Sequence, residues 1–348
     1  FLISAIQTFT FLIVGNSILE IKGMLFHHWA ILFSVSCLAN VLGLNISSGL
    51  NSVVSAYIII PMLIVPQFLF SGVTIRFDRL NNLIDHPAYV PVIGELMPTR
   101  WAYEAMAVHQ FKSNRYNREL YEFDKRIENA EYHSDYLIDE LQVKLEDIDF
   151  RRIKGLDPVQ YEEDLVLVRS EFQKLAASGM IGSYAELDKL IYDQYDGSVY
   201  ETSKIWLDKA REHFVAIRNE AVRQKDEKDK ELIVAWEEKE GYLKMKNKYT
   251  NERLEEILTN KQQLRGIIEW NGRLIRKANP IYMEPASRTG RAHFYAPVKK
   301  LGTLSVDTYW FNLIIIWLFS YLFYLTLVFD LLRRFANWNR VRQLRRRR

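Results

Sequence analysis

Apolar positions in this chain gather into blocks, and one long polar stretch separates them. Phe1 to Leu19, Gly23 to Ile75 and Thr308 to Phe329 each contain no Asp, Glu, Lys or Arg. A charge-free apolar run of about 20 residues can cross a bilayer as a helix. The middle block is too long for one crossing and suits two, hinged near Asn45-Ile-Ser-Ser-Gly-Leu-Asn-Ser52. The pattern therefore predicts four spans, over 2–18, 28–48, 53–73 and 308–330. Pro61 and Pro66 fall inside the third. Membrane helices tolerate proline where neighbours satisfy the freed carbonyls, so this span is kinked, either towards a cavity or simply in packing.

The polar stretch opens with Arg76, Asp78 and Arg79, and Pro87, Pro91, Gly94 and Pro98 then punctuate it. Thr99 to Phe111 follows as an amphipathic helix with Trp101, Ala105 and Val108 on one stripe, the pattern of an interfacial or re-entrant helix. From Tyr116 the apolar positions step by threes and fours, through Leu120, Phe123, Ile127, Ala130, Leu137, Leu141 and Ile148, with one polar position at Ser134. Gly155-Leu-Asp-Pro158 ends that helix and starts another, carried by Leu165, Val168, Phe172 and Leu175 as far as Gly179. A short helix is expected around Tyr184 to Tyr195. Tyr200 to Asn279 has no proline and predicts long helical arms, with one seam at Leu207, Ala210, Phe214, Ile217 and Ala221 and another at Tyr242, Met245 and Tyr249. Lys225 to Glu231 is a solvated face or a turn, and Glu162-Glu163-Asp164 a solvated face. Residues 280–305, with Pro285, Gly290, Pro297 and Gly302, form an irregular return to the membrane. Asp307 can N-cap the last span, and Tyr309-Trp310 suit an aromatic belt.

The expected fold is thus an all-α membrane protein: four transmembrane helices, re-entrant or interfacial helices, and a helical, coiled-coil-like periplasmic domain. Its parts are three spans over 1–75, a re-entrant segment over 76–111, the helical domain over 112–279, the return over 280–305, the final span over 306–332 and a basic tail over 333–348.

Charge orients it. After Leu332 come Arg333, Arg334, Arg340, Arg342 and Arg345 to Arg348 with no acid among them, and cationic flanks stay cytoplasmic. Counting back puts Arg76 to Asp307 outside, and the loop near Ser48 and the start of the chain inside. The tail reads first as a topology anchor, with anionic-lipid or partner binding as the other option. The formal net charge is +3, and the eight tail arginines leave the rest slightly acidic and near balance, which argues against a nucleic-acid partner. Cys37, inside a span, is the one cysteine. The exported stretch has no disulfide and must hold by packing, which suits a bacterial periplasm, with the chain multi-pass in the inner membrane. The chain starts at Phe1 within an apolar run and has no signal-peptide pattern, so it is expected to be the C-terminal piece of a longer polypeptide.

Catalytic patterns are missing. There is no Gly-rich phosphate loop, no Walker lysine, no His-Glu-x-x-His and no Cys-x-x-Cys, so no catalytic residue and no metal ligand is assigned. His27-His28 are adjacent and point about 100° apart on a helix, which fits an interface better than a chelate. Glu104 on an aromatic-rich helix near the membrane needs a partner, and Arg100 at i−4 is one; the alternative is a local surface pair.

Phe70-Ser-Gly72, a short exported segment, then Arg100-Trp-Ala-Tyr-Glu-Ala-Met106 and Phe111 resemble the G-subfamily (White-type) ABC exporters. In that family the penultimate span ends near Phe-Ser-Gly, and re-entrant helices follow with an Arg-Tyr-x-x-Glu-Ala-Leu-like motif ending in Asn-Glu-Phe. Trp101 stands here for the usual Tyr, and His109-Gln110-Phe111 for the ending. The resemblance covers about 1–111 and 305–335 and leaves the helical insert uncovered. It implies spans three to six of a six-span permease half, working as a homo- or heterodimer with a second half and with an ATP-binding domain. ATP and Mg would belong to that domain, with no cofactor in this segment. It further implies a substrate cavity at Pro61, Ile64, Val65 and Phe68, an extracellular plug at Val73 and Thr74, and a re-entrant helix carrying Arg100, Trp101 and Glu104. Thr74 departs from the family's apolar plug.

The expected role is the permease portion of an ATP-driven exporter of apolar or amphipathic compounds, with no chemistry of its own. The insert would dock a periplasmic partner or guard the exit. The alternative is a membrane signalling or mechanotransmission protein with a periplasmic helical partner-binding domain.

Overall fold

The computed structural model describes residues 1–50, 52–77, 80, 86–179, 181–237, 241–260 and 265–334. Asn51 of the expected hinge, Asp78, Arg79 and the tail from 335, with Arg340, Arg342 and Arg345 to Arg348, lie outside the described residues. The chain divides into two compact bodies. One holds Phe1–Asn117, Lys246–Leu254 and the chain from Glu284; the other holds Arg118–Met245 and Glu255–Met283.

In the first body the apolar blocks become α1 (Leu2–Ile18), α2 (Leu25–Gly49), α3 (Val53–Leu69) and α12 (Thr308–Val328). By length and composition α2 and α12 can each cross a membrane, while α1 and α3 are apolar helices of 17 residues. The break between α2 and α3 falls at the C-terminal end of the expected hinge, Asn45 to Ser52. Helix continues to Gly49, and Leu50 is the first extended residue, at φ −108° and ψ 132°. Asn45 is instead buried inside α2. Its Nδ2 donates to Phe323 O at 2.8 Å, and its Oδ1 accepts from Thr326 Oγ1 at 2.8 Å, tying α2 to α12. Asn40 Nδ2 to Ser4 Oγ (2.7 Å) and Trp29 Nε1 to Ala5 O (3.2 Å) tie α1 to α2 in the same way. Small polar side chains of this kind join helices where greasy surfaces alone give no preference.

Between α3 and α12, the short α4 (Val92–Glu95) leads into α5 (Pro98–Ser113). Pro98 stands at N1, where its missing N–H is no loss. Trp101, Ala102 and Ala105 of α5 share one apolar core with Ile31 and Leu38 of α2 and Tyr309, Phe311 and Ile316 of α12. The segment before α12 is not irregular throughout: β3 (Val298–Leu301) and β4 (Leu304–Asp307) form an antiparallel hairpin turned at Gly302 (φ +60°). Asp307 caps α12 as expected, its side chain accepting from Tyr309 N at 3.0 Å.

The second body begins with α6 (Asn117–Glu131). A widened π turn (Tyr132–Leu137) then leads into α7 (Ile138–Lys154). That turn falls where the apolar repeat has its polar position, and Ser134 is buried in it with its hydroxyl on Asp135 Oδ1 at 2.6 Å. Gly155 ends α7 with a left-handed φ of +64°, and Asp157 caps α8 (Pro158–Ala177) by accepting from Gln160 N. Leu165, Val168, Phe172 and Leu175 of α8 are all buried, as are Leu207, Ala210 and Phe214 of α9 (Gly197–Glu237). At 1.5 Å per residue, the 41 residues of α9 make a rod of about 60 Å. Lys225 to Glu231 lies within that helix, so it is a helix face and not a turn. Shorter helices α10 (Tyr242–Tyr249) and α11 (Glu252–Thr259) follow, and their facing ends, Lys246–Leu254, belong to the first body.

Three expectations need correction here. Asp164 is buried, not solvated. It accepts from Lys144 Nζ at 2.8 Å, from Arg151 Nη1 and from Gln160 Nε2 at 3.2 Å, while Glu162 and Glu163 face solvent. Tyr184 to Tyr195 contains only a single 3-10 turn at Leu187–Lys189. Finally, the chain is not all-α. Beside β3–β4 it has a second hairpin, β1 (Ile267–Trp270) with β2 (Arg273–Arg276). Asn271 and Gly272 turn it with φ of +48° and +66°, the left-handed pair that a two-residue hairpin loop requires.

Candidate functional site

The first body buries a cluster of charges under its apolar core. Arg100, Glu104, Lys299 and Asn312 are each 0% exposed. α5 supplies the first two, one helical turn apart, so both point to one side. β3 supplies Lys299, and the second turn of α12 supplies Asn312. Glu104 Oε1 accepts from Lys299 Nζ at 2.9 Å and from Tyr295 N at 3.1 Å. Its Oε2 accepts from Asn312 Nδ2 at 2.9 Å, and Arg100 Nη2 stands 3.5 Å away. Asn312 Nδ2 also reaches Trp101 O at 3.0 Å. Arg100 lies over the Trp101 ring at 4.1 Å and gives Nη1 to Glu95 Oε2 at 3.4 Å.

A buried carboxylate survives only if cations and donors replace its lost water. Burial works to raise the Glu104 carboxyl. Arg100 and then Lys299 outweigh it and hold the group below the usual carboxylate range. Glu95, at the cluster's rim, is held above that range by burial, with Arg100 opposing. Glu104 therefore stays ionised as the centre of a lock joining α5, β3 and α12. The surface-pair alternative for Arg100 and Glu104 is excluded by their burial. Lys299 and Asn312 leave no local pattern in the sequence, because they lie about two hundred residues from Glu104.

A second tie lies at the far end of α5. Lys112 Nζ meets Asp307 Oδ2 at 2.6 Å, and Tyr309 hydroxyl donates to His27 O at 2.9 Å. The His109 ring packs 4.3 Å from that of His27 and 4.6 Å from that of Tyr309. Burial first, then the neighbouring His27, lowers the His109 imidazole to about 4. The adjacent histidines thus part company: His27 faces His109, and His28 is buried on its own. Among the described residues no group of three or more His, Cys, Asp or Glu could hold a metal ion.

The Phe-Ser-Gly turn is equally determined. Gly72 has φ +81°, and a Cβ there would meet the Phe294 ring at 2.6 Å and Phe77 at 2.9 Å, so only glycine fits. Ser71 is buried, and its hydroxyl closes the turn on Phe68 O at 2.8 Å. Thr99 Oγ1 donates to Gln67 O at 2.8 Å, fixing the start of α5 against the end of α3. Residues 1–111 match the family model of the ABC-2 type transporter. No curated protein and no solved structure matches the chain. The ABC-2 match supports a permease role in transport, within a membrane, and it ends at Phe111, inside α5. Lys299 and Asn312, which complete the shell of Glu104, lie beyond it.

The residues named for the cavity and plug sit apart from this lock. Pro61, Ile64, Val65 and Phe68 are exposed on α3, and Val73 and Thr74 are exposed just after the glycine turn. Trp101 is buried in the core, with Nε1 donating to Glu95 O at 2.8 Å.

Proposed function

We propose that this chain is the permease portion of an ATP-driven exporter of the G-subfamily type, moving apolar or amphipathic compounds out of the cell. α1, α2, α3 and α12 are its four spans, and α5 is its re-entrant helix. Residues 112–300 stand outside, in the periplasm of a bacterial inner-membrane protein. ATP and Mg belong to a nucleotide-binding domain, and a second permease half completes the cavity. The ABC-2 match over residues 1–111 carries this reading. α3 is exposed on most of its surface, and Pro61, Ile64, Val65 and Phe68 supply an apolar wall for a partner half and a greasy solute. Val73 and Thr74 then close the cavity from above.

A second reading, mechanotransmission, draws on α9 and on the ties Lys112–Asp307 and Glu104–Lys299, which brace the two chain ends entering the insert. Proteoliposomes holding the full chain with its ATP-binding component separate the two. Transport predicts ATP-dependent clearance of an amphipathic dye such as a rhodamine from the membrane, abolished by Phe68→Arg. ATP hydrolysis with no dye movement, unchanged by Phe68→Arg, would contradict it.

A further inference from the structure

The β3–β4 hairpin has two unlike faces. Its register pairs Lys299 with Val306 and Leu301 with Leu304. Paired residues of an antiparallel ladder point to the same side, and so do residues two apart. Lys299, Leu301, Leu304 and Val306 therefore share one face, while Val298, Lys300, Ser305 and Asp307 share the other. At the base of the first face Lys299 is buried on Glu104, and Val306 packs on the core of α2, α5 and α12. That face is turned towards the outer end of the spans.

The tip of the same face is not covered. Leu301 is 47% exposed and Leu304 61%, on either side of Gly302-Thr303. Leu301 is placed by α12: a Cβ on Gly290 would meet Phe311 Cζ at 2.9 Å and Leu301 Cδ2 at 3.3 Å, so the three share one spot. β4 runs straight into α12 through the Asp307 cap, so the hairpin cannot swing away from the first turn of the span. On that turn Trp310 is 56% exposed, an aromatic where a membrane interface expects one.

We propose that the tip of this hairpin sits in the outer leaflet, with Leu301 and Leu304 among lipid and Ser305 facing water. The occupant of this apolar tip is the bilayer because β4 runs directly into α12, whose first turn carries the exposed Trp310 of a membrane interface. The proposal rests on the reading of α12 as a span.

Spin labels on single cysteines test it, in the full chain in nanodiscs of phosphatidylethanolamine and phosphatidylglycerol, with Cys37→Ser as background. Power saturation compares collisions with oxygen, which concentrates in lipid, and with a water-soluble nickel chelate. Leu304→Cys should favour oxygen and Ser305→Cys the nickel chelate. Leu318→Cys, on the exposed mid-face of α12, should favour oxygen most strongly. A label at 304 that favours nickel while 318 favours oxygen overturns the hairpin proposal alone. Nickel access at 318 overturns the span reading beneath it. A label at 304 shielded from both, with spin–spin broadening, shows a second copy covering the tip and also overturns the proposal.

Discussion

Each body of this protein holds a carboxylate that is almost fully buried in a charge network, Glu104 in one and Asp164 in the other, and the two are held in opposite ways. Asp164 draws its partners from Lys144, Arg151 and Gln160, all within twenty residues on the α7–α8 hairpin. Glu104 draws its partners from Arg100 and from Tyr295, Lys299 and Asn312, some two hundred residues on. The first network braces two neighbouring helices through local partners of Asp164, and Lys144 reaches on to Glu269 Oε2 of β1 at 2.7 Å. The second forms only when the chain has left through the helical insert and returned. It therefore records the closure of the whole first body, and it lies against the helix that the ABC-2 match ends in.

The contrast has consequences that differ in size. Lys299→Met should be the worst, because it strips the nearest cation from a fully buried carboxylate. Removing one partner of such a pair costs about 3–5 kcal/mol. Hydrogen exchange of the full chain in detergent should show α5 and the first turns of α12 opening while α7 and α8 stay protected. Gly72→Ala comes next, at about 1–3 kcal/mol, since it adds both a left-handed strain and an overpacked contact on Phe294. A thermal melt should fall accordingly, and Phe294→Ala should recover part of the loss. Lys144→Met should cost less, about 1 kcal/mol, because Asp164 keeps Arg151 and Gln160. Equal losses for Lys299→Met and Lys144→Met would break the comparison.

A further effect appears only in acid. Folding lowers the His109 imidazole from 6.5 to about 4, so the folded chain takes that proton less readily than the unfolded one. His109 thus costs nothing above pH 6.5, and stability falls as pH drops from 6.5 towards 4. Melts of the native chain and of His109→Gln should converge at pH 5 relative to their gap at pH 7.5. A gap independent of pH would show that His109 is not held neutral.

What was legible in the sequence follows from distance along the chain. Apolar runs place α1, α2, α3 and α12 to within a few residues, since a charge-free stretch has few other uses. The seams at Leu165 to Leu175 and Leu207 to Phe214 are legible for a similar reason, a 3–4 repeat being local. Gly155-Leu-Asp-Pro158 and Asp307 declare their caps through their own side chains and backbones. The β1–β2 turn was equally local, with Asn271-Gly272 between apolar residues. A proline-free stretch read as helix obscured it. Asp164 was hidden by exposed Glu162 and Glu163, since a run of acids looks solvated even when the helix turns its third member inward. Lys299 and Asn312 could not be found locally at all. A lysine in a polar stretch and an asparagine near the start of an apolar run become a site only when β3 and α12 fold onto α5.

The central claim is that α3 lines a transport cavity shared with a second permease half. Cross-linking at Phe68→Cys in a Cys37→Ser background tests it most directly, in native membranes and with the ATP-binding component present. The account predicts an inter-protomer disulfide whose yield changes between nucleotide-free and vanadate-trapped states, and loss of dye export in Val65→Trp. No cross-linked product in any nucleotide state, together with unaltered export by Val65→Trp, would contradict it.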